Sequence, residues 1–128
     1  MTYGISKTVS LSFEEAVDRT IAALKEKGFG ILSDIDVKKT LQEKLGVDYK
    51  KYRILGACNP PRAHQALQQE EEIGLLLPCN VIVYEKEPGT VVVSAVKPSA
   101  MFSVVENESL VPLAKEVESL LEQAIESV

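Results

Sequence analysis

Residues 52–85 read YRILGACNPPRAHQALQQEEEIGLLLPCNVIVYE, with a strand-like run on either side of a helix-like one. Tyr52–Cys58 and Cys79–Glu85 are rich in β-branched and aliphatic side chains, which favours strands. Between them, Asn59 is a residue type that caps helix N-termini. Pro60 follows at the first helical position, where the backbone N–H that proline lacks would have no acceptor within the helix. The stretch therefore predicts strand, helix and strand, with a cysteine at the end of the first strand and the start of the second.

Upstream of this stretch, the chain predicts two further strands and two helices. Tyr3–Val9 alternates larger side chains with small ones, which is typical of a strand near a sheet edge. Ser12–Glu15 has the serine and glutamate of a capping box, ahead of an amphipathic helix that ends at Gly28. Phe29–Ile35 follows as a second strand, and Asp36 is placed to cap a short helix.

Downstream, a turn signal and a helical period complete the order of elements. Lys86–Gly89 has the proline and glycine of a turn and joins the strand Cys79–Glu85 to another, Thr90–Lys97. From about Ser109 onward, apolar residues recur with the strongest helical period in the chain. The order β-α-β-α-β-α-β-β-α predicts an α+β fold, with helices packed on one face of a mainly antiparallel sheet. Because the chain has 128 residues, we expect a single domain over residues 1–128.

The charge balance argues against nucleic acid as a partner. The formal net charge is −5 and the longest charge run, Glu70–Glu72, is acidic, whereas a nucleic-acid-binding protein normally presents a concentrated basic face. The longest apolar run, Ile73–Pro78, is far shorter than the roughly 20 residues that span a bilayer. The first residues lack the basic start and apolar run of a signal peptide. We therefore expect a cytoplasmic protein that binds neither nucleic acid nor membranes.

The two cysteines are candidates for chemistry. Cys58 lies just before a predicted helix N-terminus, where the helix dipole and the nearby Arg62 favour the thiolate. A cysteine enzyme also needs a base, for which His64 is the one histidine in the chain, and a third group to orient that base. Cysteine is often buried as a small apolar residue, so inert packing is the competing interpretation. Whether the protein is an enzyme stays open, and the candidate catalytic residues are Cys58, Cys79 and His64.

The distance between the cysteines depends on how their strands pair. If the strands are antiparallel neighbours, Cys58 and Cys79 lie at the same end of the sheet, and if they are parallel, about 20 Å separates them. We favour the same end, although a disulfide also needs Cα atoms within about 7 Å. A zinc site with His64 would need the same proximity, but the spacing matches no recurrent zinc pattern. The chain also has no Gly-rich phosphate loop, so we expect neither a metal nor another cofactor.

The central motif resembles the family catalogued as domain of unknown function 302. The family signature is a Gly-(Ala/Ser)-Cys-Asn-Pro-like turn after a strand, a short Ala/Leu helix, then Gly-Leu-Leu-Leu-Pro-Cys-Asn and a β-branched strand ending near Tyr-Glu. In this chain those segments are Gly56–Pro60, Ala63–Leu67, Gly74–Asn80 and Val81–Glu85. The resemblance extends over essentially the whole chain. It implies an α+β fold similar to the TATA-box-binding-protein-like class and a homodimer, but no activity, substrate or cofactor.

Three functions stay open on the sequence. We favour a homo-oligomeric accessory module that binds a small apolar or anionic ligand between sheet and helices, near the Cys-Asn-Pro and Pro-Cys-Asn corners. The alternatives are a thiol-based enzyme or redox sensor that uses both cysteines, and a structural or interaction domain without a ligand. The candidate ligand-binding residues are Cys58, Asn59, Arg62, Cys79 and Asn80.

Overall fold

An antiparallel sheet is the framework of the protein in the computed structural model, which describes residues 2–128. The strands are β1 (Gly4–Val9), β2 (Gly30–Asp36), β3 (Tyr52–Cys58), β4 (Cys79–Glu87) and β5 (Thr90–Val96). The α-helices are α1 (Phe13–Glu26), α2 (Val37–Leu45), α3 (Pro60–Gln69), α4 (Pro98–Met101) and α5 (Val111–Glu126). Short 3₁₀ segments cover Glu71–Leu76, Phe102–Val104 and Glu108–Leu110.

The strand order across the sheet is β1-β5-β4-β3-β2, and every neighbouring pair is antiparallel. The predicted α+β class and the order of the main elements are confirmed. Three details differ from the sequence analysis. The hairpin turn is tighter than predicted because β4 extends through Glu87. Residues 98–108, to which the sequence assigned no element, contain α4 and the 3₁₀ segment Phe102–Val104, and the last α-helix begins at Val111, after a 3₁₀ turn, rather than at about Ser109.

The core lies between one face of the sheet, here called the inner face, and the helices α1 and α5. β4 shows the alternation, because Val81 and Val83 are fully buried on the inner face. Their neighbours Ile82 and Tyr84 point to the opposite, outer face and are only half-buried. The helices bury the matching apolar stripes, which are Phe13, Ala16, Val17, Ala23 and Leu24 in α1 and Leu113, Ala114, Val117, Leu121, Ala124 and Ile125 in α5.

The helix starts follow from local capping chemistry. Ser12 Oγ accepts a hydrogen bond from the Glu15 amide at 3.1 Å, which confirms the predicted cap of α1. The Glu15 carboxylate, which a complete capping box would direct back to the serine, lies 3.2 Å from Arg19. Asp36 Oδ1 likewise accepts from the Lys39 amide at 3.0 Å and begins α2.

The helices differ in how much apolar surface they cover. None of the residues of α2 is buried, and its Leu45 is 69% exposed. The adjacent edge strand β2 is also largely exposed. Among residues 2–128, no helix is both long and apolar enough to cross a bilayer.

Candidate functional site

The last residue of β3 and the first residue of β4 meet at one end of the sheet. The two strands are antiparallel neighbours, with Ala57 opposite Cys79 and Cys58 one residue further along. The prediction that both cysteines lie at the same end is therefore confirmed. From the usual strand spacings, their Cα atoms are roughly 6 Å apart, which is within the range of a disulfide. Both thiols are free in the structure.

Asn59 turns the chain from β3 into α3. Its Oδ1 accepts a hydrogen bond from the Arg62 amide at 3.4 Å, so the predicted N-cap of α3 is confirmed. Only 7% of Asn59 is exposed, because the loop after α1 covers its side chain. A Cβ added to Gly28 would lie 3.1 Å from Asn59 Nδ2, and the positive φ of Gly28, 88°, also favours glycine. The end of α1 thus holds the Cys-Asn-Pro corner in place.

Gly56 lets the Pro-Cys-Asn corner pack closely on β3. A Cβ at Gly56 would lie 2.8 Å from Pro78 Cγ and would overlap Ser33 Oγ. The Leu77–Pro78 peptide bond is cis. Because a Cβ at Gly56 would lie so close to Pro78, the proline ring packs directly on the backbone of β3, beside the two cysteines.

A cavity of about 320 Å³, here called the corner cavity, lies between these two corners and the helices. Cys58, Asn59 and Cys79 line it at the sheet end. The other walls are mainly apolar and come from α3, the segment before β4, the 3₁₀ turn after α4, and α5, through Ala63, Ala66, Leu67, Leu77, Phe102, Leu113 and Val117. The cavity opens to solvent, so a small molecule has a route into it.

Arg62 lines the corner cavity and links α3 to α5. One terminal nitrogen, Nη2, forms an ion pair with the Glu116 carboxylate. The Nε atom is buried, and no atom of residues 2–128 accepts a hydrogen bond from it. A buried N–H without an acceptor costs about 1–3 kcal/mol, so this donor is an unusual feature of the site.

The two thiols differ in environment. Cys79 is buried, and burial is the main reason that its thiol pKa rises to about 11. A negative charge on the nearby Cys58 acts in the same direction. Cys58 is only half-buried. At neutral pH, Cys79 is therefore a neutral thiol, which is a poor nucleophile.

Two of the predicted site residues lie outside the corner cavity. His64 is exposed on α3, and Asn80 is exposed in β4; neither lines the cavity. The other predicted residues, Cys58, Asn59, Arg62 and Cys79, come together around it. Within residues 2–128, no group of three or more His, Cys, Asp or Glu side chains is arranged to hold a metal ion.

Sequence reasoning identified four of the cavity-lining residues, Cys58, Asn59, Arg62 and Cys79, and missed the wall formed by Phe102 and α5. Phe102 follows the short helix α4, in a segment with no periodic signal. Leu113 and Val117 belong to the apolar stripe of α5, which the sequence identified as core. Nothing in their spacing indicates that they face the cysteine corners, because that contact depends on how α5 crosses the sheet.

Comparisons with known proteins identify the family of the chain and agree with its fold. The family described as "Domain of unknown function DUF302" matches residues 5–128. No curated protein sequence matches the chain. A crystal structure of an uncharacterized conserved DUF302 protein from Bacillus stearothermophilus is similar, with a TM-score of 0.91 and 30% sequence identity. That similarity covers 99% of this chain and 98% of the other. Because the family match spans nearly the whole sequence, the chain belongs to the DUF302 family.

Proposed function

We propose that the protein is a homo-oligomeric module that binds a small, mainly apolar molecule in the corner cavity. The observation that carries this proposal is the cavity itself, which lies where the Cys-Asn-Pro and Pro-Cys-Asn corners meet. Its apolar walls and few polar groups are typical of small-molecule sites. A volume of about 320 Å³ lies at the lower end of the roughly 300–1,000 Å³ range of small-molecule sites, which suits a small ligand.

Filling the cavity tests this function. Ala63 lines the cavity and is half-buried, so a leucine at this position occupies space that a ligand needs. We expect butylbenzene and 4-phenyl-2-butanone, two uncharged probes of similar size, to bind the wild-type protein saturably. We expect Ala63→Leu to weaken both affinities by roughly tenfold or more, since each excluded methylene loses about 0.8 kcal/mol of burial. The affinities are measured by NMR titration of the protein methyl signals.

The matched control places the same side chain on the same helix but outside the cavity. Gln65 is exposed and does not line the corner cavity, so Gln65→Leu is expected to leave both affinities unchanged. If neither probe binds the wild-type protein, the small-molecule function is wrong. The protein is then better described as a structural or interaction domain.

The homo-oligomeric part of the proposal is supported by the outer face of the sheet. Ile35, Ile54 and Ile82 are paired in one row across three strands, and Ile35 is 47% exposed. In the next row, the rings of Tyr52 and Tyr84 stack with centroids 5.4 Å apart. These residues give the sheet centre an apolar and aromatic surface, of the kind enriched at protein interfaces.

The size of the outer face suits a second copy of the chain. Five strands about 4.8 Å apart and about seven residues long cover roughly 550 Å², so two copies bury roughly 1,100 Å². A specific interface needs about 1,000 Å² in total. A two-fold dimer through the outer face meets that requirement and leaves the corner cavity, which is lined by helices, open.

A thiol-based function is the second candidate, supported by the presence of both cysteines at one cavity. The raised pKa of Cys79 works against it. At pH 8, a thiol of pKa about 11 is only about 0.1% ionised, whereas an unfolded cysteine is about a quarter ionised. In a Cys58→Ser variant, we therefore expect iodoacetamide to alkylate Cys79 at least 100-fold more slowly in the folded protein than in urea.

The pH dependence of this reaction has a definite sign. Below the pKa of a thiol, the thiolate fraction rises about tenfold per pH unit. Because the pKa of folded Cys79 is about 11, its alkylation rate should keep rising up to about pH 11, whereas the rate of the unfolded protein levels off at about pH 8.5. Peptide mass spectrometry gives the rates, and Cys79→Ser reports on Cys58 alone. Fast alkylation of folded Cys79 at neutral pH contradicts the neutral-thiol assignment and favours the redox alternative.

A further inference from the structure

The charges at the corner cavity restrict what kind of molecule it holds. Among the described residues that line the cavity, Arg62 is the only lysine, arginine, aspartate or glutamate. Its charge is already neutralised by the ion pair with Glu116. A carboxylate entering the cavity would therefore add an uncompensated negative charge to an apolar site, which is strongly unfavourable. The cavity is electrostatically suited to an uncharged ligand.

The same arginine has one buried hydrogen-bond donor without an acceptor in the described part of the chain. Its Nε–H is buried and has no acceptor within residues 2–128, although burying a donor without a partner is costly. About 31% of the Arg62 side chain is exposed, so it has room to rotate while its ion pair with Glu116 holds the guanidinium near α5. Because Nε itself has almost no accessible surface, an acceptor inside the cavity reaches it only when the Arg62 side chain, which lines the cavity, rotates toward the ligand.

We infer that the ligand is an uncharged, mainly apolar molecule with one hydrogen-bond acceptor, such as a carbonyl oxygen, which Arg62 binds. This inference rests on the proposed small-molecule function and specifies the class of ligand. The apolar body contacts the side chains of α3 and α5. Glu116 acts as a positioning residue because it holds the guanidinium and removes its attraction for anions.

Three probes of similar size and different chemistry test the inference. Butylbenzene has no acceptor, 4-phenyl-2-butanone has a neutral carbonyl oxygen, and 3-phenylpropanoate carries a carboxylate. Dissociation constants are measured at pH 7.5 for the wild type, Arg62→Met and Glu116→Gln. We expect Arg62→Met to weaken ketone binding about fivefold to tenfold relative to butylbenzene binding, which is the contribution of one hydrogen bond.

The carboxylate probe tests separately whether the cavity disfavours a negatively charged ligand. We expect 3-phenylpropanoate to bind the wild type at least tenfold more weakly than the ketone. Glu116→Gln leaves the Arg62 charge uncompensated, so the affinity for 3-phenylpropanoate should rise about fivefold relative to the affinity for the ketone. If Arg62→Met alone does not fold, the double variant Arg62→Met, Glu116→Met, which leaves no unpaired carboxylate, is expected to show the same loss for the ketone.

The possible results separate the two proposals. If both neutral probes bind but Arg62→Met affects them equally, the ligand class is wrong while the small-molecule function stands. Tightest binding of 3-phenylpropanoate to the wild type overturns the uncharged-ligand assignment. If none of the probes binds, the proposed function itself fails.

Discussion

Replacing Gly56 by valine should lower the free energy of unfolding by about 3 kcal/mol, because a close backbone contact leaves no room for a side chain. A Cβ at this position would overlap Ser33 Oγ and lie 2.8 Å from Pro78 Cγ. The serine can rotate, but the proline ring is rigid. Accommodating valine therefore requires β2 or the start of β4 to move. Urea denaturation monitored by circular dichroism measures the effect.

Gly30 provides the matched control for this substitution. It also lies in a strand of the same sheet, paired with Cys58, but a Cβ added there meets nothing within 4 Å. Gly30→Val should therefore change the free energy of unfolding by less than about 0.5 kcal/mol, as is usual for exposed positions. Equal losses from both substitutions would mean that strand geometry, and not the Pro78 contact, determines the cost.

A double variant identifies the atom responsible. Ser33→Gly removes the hydroxyl that lies over Gly56, whereas the proline contact remains. Gly56→Ala should then cost about 1 kcal/mol less in the Ser33→Gly background than in the wild type, because the two residues are in direct contact. If the free-energy changes of the two substitutions are strictly additive, the Ser33 side chain already rotates away from a Cβ at Gly56, so that removing its hydroxyl brings no further relief.

Local signals predicted most of the helices and strands. Ser12, Asp36 and Asn59 cap helices because their side chains can accept hydrogen bonds from amides that a helix start leaves free. The apolar periods of α1 and α5 likewise identify buried faces directly. These features depend on residues within a few positions of each other, so the sequence reports them well.

Features that depend on tertiary packing could not be predicted in the same way. α4 is a single turn and is too short to show a helical period. Phe102 comes directly after α4 and lines the cavity because of the path that the chain takes there. The Arg62–Glu116 ion pair joins two residues that are 54 positions apart in the chain. The sequence predicted that the two cysteine corners form one site. The cavity wall formed by Phe102 and α5 could be identified only from the three-dimensional structure.

The largest expected effect on the association of two copies comes from a substitution on the outer face of the sheet. Ile82 lies at the centre of this face, paired with Ile54 on one side and Ser94 on the other. In a dimer through the outer face, Ile82→Lys would bury an unpaired charge from each copy, and one such charge costs about 3–5 kcal/mol. We therefore expect the dimer dissociation constant to rise by at least 100-fold, measured by analytical ultracentrifugation.

Two control variants test whether the proposed dimer forms through the outer face. Val104 is 73% exposed and lies in the 3₁₀ segment Phe102–Val104, so Val104→Lys introduces the same charge away from the outer face. It should leave the dissociation constant unchanged. Leu45 of α2 is 69% exposed and offers a competing apolar surface. A dimer that survives Ile82→Lys but dissociates with Leu45→Lys would place the interface at α2, since a lysine disrupts association only where it becomes buried.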